Sequence, residues 1–251
     1  MNVNQSLNQS TASVLHYADT CLILSQKNSE WCAHGPILEQ DIAITNITLD
    51  LIGQARNFYQ YAAQLINKTE NKNETEDSLA YLRIEREFKN LLICELPNGD
   101  WAQTILRQFF FSCFQQLLFK NLMNAEDEQI AAIAAKSVKE TNYHVKWSSE
   151  WVIRLGDGTT ESRDRMIKAI DVLWMYTGEF FIKNDYEIFD VSLLKESWLQ
   201  KVKEVFEEAT LSIPENVFMQ TGGKDGIHTE HLGFLLTDLQ YLQRTFPGAE
   251  W

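Results

Sequence analysis

The sequence predicts an all-α protein, a four-helix-bundle core with additional helices, folded as one domain over residues 1–251. Three observations predict it. Only four Pro and eleven Gly punctuate the 251 residues, so long stretches run without a breaker. Within those stretches apolar residues recur at steps of three and four, the helical period. Strand-like alternation is sustained nowhere.

The elements follow in order. A first helix is expected over about Thr11–Lys27, ended by the Gly35-Pro36 step. A second runs from about Ile37 to Asn67, with the stripe Ile44, Ile47, Leu51, Ala55, Phe58, Ala62, Leu65. Residues 68–77 (KTENKNETED) read as an exposed polar loop. A third helix is expected over Asp77–Glu95, where Arg83, Glu85, Arg86, Glu87 and Lys89 read as a solvated face. Leu96-Pro-Asn-Gly-Asp100 then turns the chain. The fourth helix, Trp101–Asn124, is apolar nearly all round and so is expected to be covered on several sides. A fifth spans Glu126–Leu155 and ends at Gly156-Asp-Gly158. Thr159 or Thr160 caps a sixth, reaching Phe181. A seventh covers Ser192–Leu211. After an irregular segment, 213–227, a last helix runs over Thr229–Arg244, with Thr229 as its cap and Glu230 in the first turn.

Charge narrows the function classes. The net charge of −13 repels phosphate backbones and anionic bilayers, and it fits a soluble protein whose partner carries a basic patch. The cysteines Cys21, Cys32, Cys94 and Cys113 form no C-x-x-C pair, so neither a disulfide framework nor a zinc site is expected. The polar start, Met1–Ser13, lacks the apolar core of a secretory signal. The expected compartment is the cytoplasm. The aromatics, Trp31, Trp101, Trp147, Trp151, Trp174, Trp198 and Trp251 among them, supply a core and candidate interface positions.

A long helical bundle raises the question of a carboxylate-bridged di-iron site. That chemistry needs a Glu from each of two helices and a Glu-x-x-His from each of two more, because i and i+3 project from one face. The five His are His16, His34, His144, His228 and His231, and none has Glu three residues before it. Asp225-x-x-His228 comes nearest, in a Gly-rich loop. The fourth helix carries no Asp or Glu between Trp101 and Leu122. At the inward positions where ligand pairs would stand, the second helix offers Leu51 and Gln54, and the fifth offers Thr141 and His144. His144 reads as a core histidine. Gly222-Gly-Lys-Asp-Gly226 reads either as a connecting turn or as an anion cradle. There is no G-x-S-x-G, P-loop or dinucleotide fingerprint.

Several segments resemble the PaaC family, a subunit of the phenylacetyl-CoA epoxidase complex. They are Ser29–Glu39, Asp50-Leu-Ile-Gly-Gln-Ala-Arg56, Arg83-x-Glu-Arg-Glu-Phe-Lys-Asn90, Pro97–Asp100, Tyr143-His144, Trp151–Gly158, Trp174-x-Tyr-Thr-Gly-Glu179, His228–Gly233, Pro247–Ala249 and Trp251. The resemblance covers nearly the whole chain. It implies a ferritin-like fold and a structural role beside a homologous catalytic subunit. That partner would hold the di-iron centre and bind phenylacetyl-CoA, with a flavin and iron–sulfur reductase supplying electrons. It implies no catalytic residue, metal ligand or cofactor in this chain, since Leu51, Gln54 and Thr141 stand at degenerate ligand positions. Other subunits of the complex are the expected partners, with a homodimer for the isolated chain. Side chains marked out for a partner surface are Trp31, His34, Arg83, Arg86, Lys224, His228 and His231. Two other readings stand beside this one. One is an oxygenase with an atypical metal site at His144, or at His228 and His231. The other is a module holding a CoA ester through the loop 222–226.

Overall fold

The computed structural model describes residues 3–249, with side chains from residue 10 onward; Trp251 lies outside them. Among the described residues the α-helices are α1 (Val3–Ser29), α2 (Leu38–Glu70), α3 (Glu76–Tyr81), α4 (Leu92–Glu95), α5 (Trp101–Leu122), α6 (Glu128–Gly156), α7 (Thr160–Leu173), α8 (Lys195–Glu208) and α9 (Glu230–Thr245). Short 3₁₀ turns link several of them, and the described residues include no strand. The fold is all-α, consistent with the ferritin-like class. No described helix is long and apolar enough to cross a membrane.

The described residues form two units, each built on one long helix pair. The first unit holds the chain up to Pro97, Asn184–Ile188 and the stretch from Gly222 onward. Its pair is α1 and α2, joined by a turn in which the Gly35 N–H donates to Asp41 Oδ2 at 2.9 Å. The α2 stripe read from the sequence is buried, from Ile44 through Leu51 and Phe58 to Leu65. Asn71, in the left-handed conformation at φ 52°, ends the helix. Thr229 caps α9, accepting from the His231 N–H, as its sequence position suggests.

The expected third helix is broken. Over 77–95 the chain forms α3, an irregular stretch with one 3₁₀ turn at Glu85–Glu87, and then α4. The reason is tertiary. The Lys89 N–H donates to Asp19 Oδ2 at 2.8 Å, the Lys89 carbonyl accepts from His16 Nδ1 at 2.6 Å, and the Leu91 N–H reaches Thr20 Oγ1 at 3.4 Å. These backbone groups are satisfied by α1, so helical pairing is not needed to offset their desolvation. The supposed solvated face contains a buried Arg83.

The second unit holds Asn98–Lys183 and Phe189–Thr221. Here α5 and α6 form the pair, and α7 and α8 also pack on α5. This explains an α5 that is apolar nearly all round. Its core is aromatic: Phe114 stacks on Phe180 at 4.9 Å, and Phe110 lies 5.6 Å from Trp198, whose indole N–H donates to the Phe110 carbonyl at 2.9 Å. Such ring pairs add to area burial. The sixth expected helix tightens to 3₁₀ over Trp174–Phe181, and the seventh begins with a 3₁₀ turn at Val191–Leu194. Gly156 ends α6, but not through a left-handed cap. A Cβ there would collide with the Ala209 carbonyl, so close packing sets the glycine.

Candidate functional site

Leu51, Gln54, Thr141 and His144, the positions where the sequence led one to expect a lost ligand set, are all buried. In the first unit Leu51 and Gln54 face inward from α2, and the group beside the Gln54 amide is the Cys21 thiol, with Sγ 3.7 Å from Oε1. In the second unit Thr141 and His144 are fully buried on α6, and the Thr141 hydroxyl turns back to the Val138 carbonyl at 3.1 Å. A carboxylate-bridged pair of irons needs hard anionic oxygens to neutralise two cations. A leucine, an amide and a hydroxyl bound to its own helix do not fit it. Among the described residues no three His, Cys, Asp or Glu gather in a way that could hold a metal ion.

The chemistry-bearing side chains of the first unit gather instead into three buried charge pairs. Asp19 on α1 meets Arg83, and every N–H of that guanidinium is directed to oxygen. Nε donates to the Leu79 carbonyl at 2.5 Å, and Nη1 to Asp19 Oδ2 at 3.2 Å and the Glu87 carbonyl at 2.9 Å. Nη2 donates to Asp19 Oδ1 and to the Tyr59 hydroxyl. The Phe88 ring lies 4.2 Å from the guanidinium carbon, a cation–π contact.

Glu187 forms the second pair, accepting from Lys224 Nζ at 3.0 Å. The third joins Glu95 to His228 Nδ1 at 2.8 Å, and the Thr229 N–H also donates to Glu95 at 2.6 Å. The other His228 nitrogen is 2.9 Å from the Phe88 carbonyl. Both ring nitrogens are thus engaged inside the chain.

These pairs relocate three residues marked out for a partner surface. Arg83, Lys224 and His228 have side chains 10%, 4% and 0% exposed, and each meets an internal carboxylate. Burial makes such a charge too costly to leave unpaired. The Gly-rich loop is correspondingly a structural connection. A Cβ at Gly226, where φ is 75°, would collide with the Arg86 carbonyl, and one at Gly223 with the Asn90 carbonyl. Its lysine donates to Glu187 within the chain. Of the remaining candidates, His34 and Arg86 are exposed, while Trp31 and His231 are half-buried.

A family model described as phenylacetic acid catabolic protein matches residues 1–251. The chain belongs to the phenylacetic acid catabolic protein family. It is similar to the C subunit of the 1,2-phenylacetyl-CoA epoxidase of Escherichia coli (strain K12), 46% identical over 253 residues that take in 98% of this chain and all of that relative. The family membership that the sequence motifs suggest is therefore shown.

In this phenylacetic acid catabolic protein, sequence reasoning missed the anionic halves of the pairs. Glu95 had a local signal, a carboxylate inside the apolar run Leu91–Leu96. Asp19 and Glu187 had none strong enough to name their partners.

Two histidines of the cluster titrate in opposite senses. Burial, then the nearby Lys224 charge, lowers the His16 pKa to about 3, against the hydrogen bond that Nδ1 donates to the Lys89 carbonyl. At 3.9 Å from Glu187 it would form a charge pair only if protonated, and the neutral form prevails because burial disfavours the imidazolium and Lys224, which already answers that carboxylate, repels it. For His228 burial also disfavours the cation, but the Glu95 hydrogen bond and charge outweigh it and raise the pKa. A depressed folded value means that the unfolded chain binds the proton first, so His16 costs stability as pH falls below its ordinary 6.5. The expected loss between pH 7 and pH 5 is ~2 kcal/mol. His228 contributes stability that is full below its ordinary value and lost as pH rises through the raised one. Urea unfolding across pH 5–9 should show a flatter acid limb in His16→Gln and a flatter alkaline limb in His228→Gln. Unchanged limbs would refute the assignments.

Proposed function

We propose that the chain is the non-catalytic structural subunit of a multicomponent phenylacetyl-CoA epoxidase. It pairs in the cytoplasm with a homologous di-iron catalytic subunit and supports it during aerobic phenylacetate degradation. The observation that carries the assignment to this complex is the full-length similarity to a protein named as a subunit of that epoxidase. The donor deficit at Leu51, Gln54 and Thr141 favours a supporting role over a catalytic one, because the carboxylates that would bridge two irons are missing there. The di-iron centre is assigned to the partner, which the acidic surface of this chain would meet through complementary charge.

Iron content tests the division of labour. The chain expressed alone with added iron should carry far less than one iron per chain, while a co-expressed catalytic subunit should co-purify with it and carry the metal. About two irons in the isolated chain, retained through gel filtration, would make it an oxygenase in its own right. Failure of the two subunits to associate at micromolar concentration would remove the supporting role.

A further inference from the structure

The α2 helix buries one stripe and exposes another. Leu38, Ile42, Thr45, Leu49, Ile52 and Arg56 follow one another at spacings of four, three, four, three and four, the repeat of a helix–helix seam. All but Thr45, which is half-buried with its hydroxyl covered, lie on the outward face. Leu38 is 72% exposed, Ile42 52%, Leu49 60% and Ile52 38%. Single exposed apolar residues need no explanation, but four of them along one face over ~21 Å of helix do.

Gly53 is a second, independent observation. It sits inside the helix on the flank of the same face, and a Cβ built on it meets nothing within 4 Å. Its φ is not positive, so neither backbone conformation nor packing within the chain calls for glycine. In a helix interior glycine costs about 1 kcal/mol relative to alanine. What it supplies here is a notch through which another backbone can approach closely.

Charge selects the occupant. From Leu38 to Arg56 the helix carries Glu39, Asp41 and Asp50 against one base, Arg56, and that base is already matched by Glu76 at 3.4 Å. A second copy would bring the same acids and no spare base to the contact, on a chain of net charge −13. Like-charge juxtaposition selects against that pairing. We propose that the outward face of α2, from Leu38 to Arg56 with the notch at Gly53, is the docking seam for a helix of a different subunit whose flanking residues are basic. The proposal rests on the supporting role above and names the surface through which it is exercised. Trp31 and His34, in the turn leading into α2, stand at the seam's N-terminal end. The strip is narrower than a stable interface requires, so it forms the centre of a larger contact.

The test uses the full chain and the di-iron catalytic subunit of the same epoxidase as the probe. Leu49→Lys places a cation in the apolar row. Gly53→Leu fills the notch while improving helix propensity, so the free chain should melt ~2 °C higher or unchanged. Both variants are expected to weaken the complex about tenfold or more, measured by calorimetry. Tighter folding with weaker binding in Gly53→Leu is an outcome that simple misfolding cannot produce. Wild-type affinity in either variant overturns the seam but leaves the pairing intact. If the wild-type chain itself does not bind the catalytic subunit, the supporting role and the seam fall together. If it instead forms a homodimer that Leu49→Lys dissociates, the occupant is a second copy and the heterologous assignment is wrong.

Discussion

Arg83→Met is expected to destabilise the protein by about 3–5 kcal/mol at pH 7. The loss comes from what the arginine leaves behind. Asp19 is fully buried, accepting from the Tyr59 hydroxyl at 2.5 Å and the Lys89 N–H at 2.8 Å. Without the guanidinium a carboxylate remains in a low-dielectric interior with no counter-charge. The Leu79 and Glu87 carbonyls lose their donors as well. A buried pair contributes little net stability against an apolar pair of the same volume, yet it is costly to break from one side. The double variant Asp19→Asn/Arg83→Met should therefore recover much of the loss. Urea denaturation of the two single variants and the double separates these effects. A deficit below ~1 kcal/mol in Arg83→Met would show that Asp19 is solvated like a surface carboxylate.

Lys224→Met is expected to cost a similar ~3–5 kcal/mol at pH 7, by stranding Glu187. Its pH dependence distinguishes it from Arg83→Met. In the wild type the Lys224 charge is the second cause, after burial, of the low His16 pKa. Once Lys224 is gone, Glu187, 3.9 Å away, favours the imidazolium and raises the His16 pKa, against the burial that stays its largest depressing cause. Lys89 and Tyr186 also face this group, with the lysine opposing and the phenol neutral, since burial and Glu187 raise the Tyr186 pKa. A folded pKa that rises adds stability as pH falls through it. The deficit of Lys224→Met relative to wild type should then narrow between pH 7 and pH 5, while that of Arg83→Met should not narrow in this way. A deficit constant over that range would show that His16 does not answer Glu187.

The missing Glu-x-x-His was legible from residue types alone. Whether a Glu stands three residues before a His does not depend on how the chain folds, and Leu51, Gln54 and Thr141 remain a poor donor set in any packing. The Gly-rich loop was not legible in the same way. Gly222 to Gly226 suits an anion cradle as well as a tight connection, and only the approach of the Arg86 and Asn90 carbonyls decides between them. The interface candidates share charge or aromaticity. Those properties serve a buried pair and a docking surface equally, so Arg83, Lys224 and His228 could not be sorted from Arg86 and His34 beforehand.

By itself the sequence determined the helical class, the long helices and the inward stripe of α2, because helical periodicity is a local property of neighbouring turns. It also showed that no His in the chain has a Glu three residues before it. Only the tertiary structure decided which charges are internal. Asp19 meets Arg83 across 64 positions, Glu187 meets Lys224 across 37 and Glu95 meets His228 across 133. The same distant contacts broke the expected third helix, since backbone groups between Arg83 and Leu91 found partners on α1. Local pattern cannot encode a partner that the fold alone brings near, and burial, which makes that partner necessary, exists only once the chain has folded.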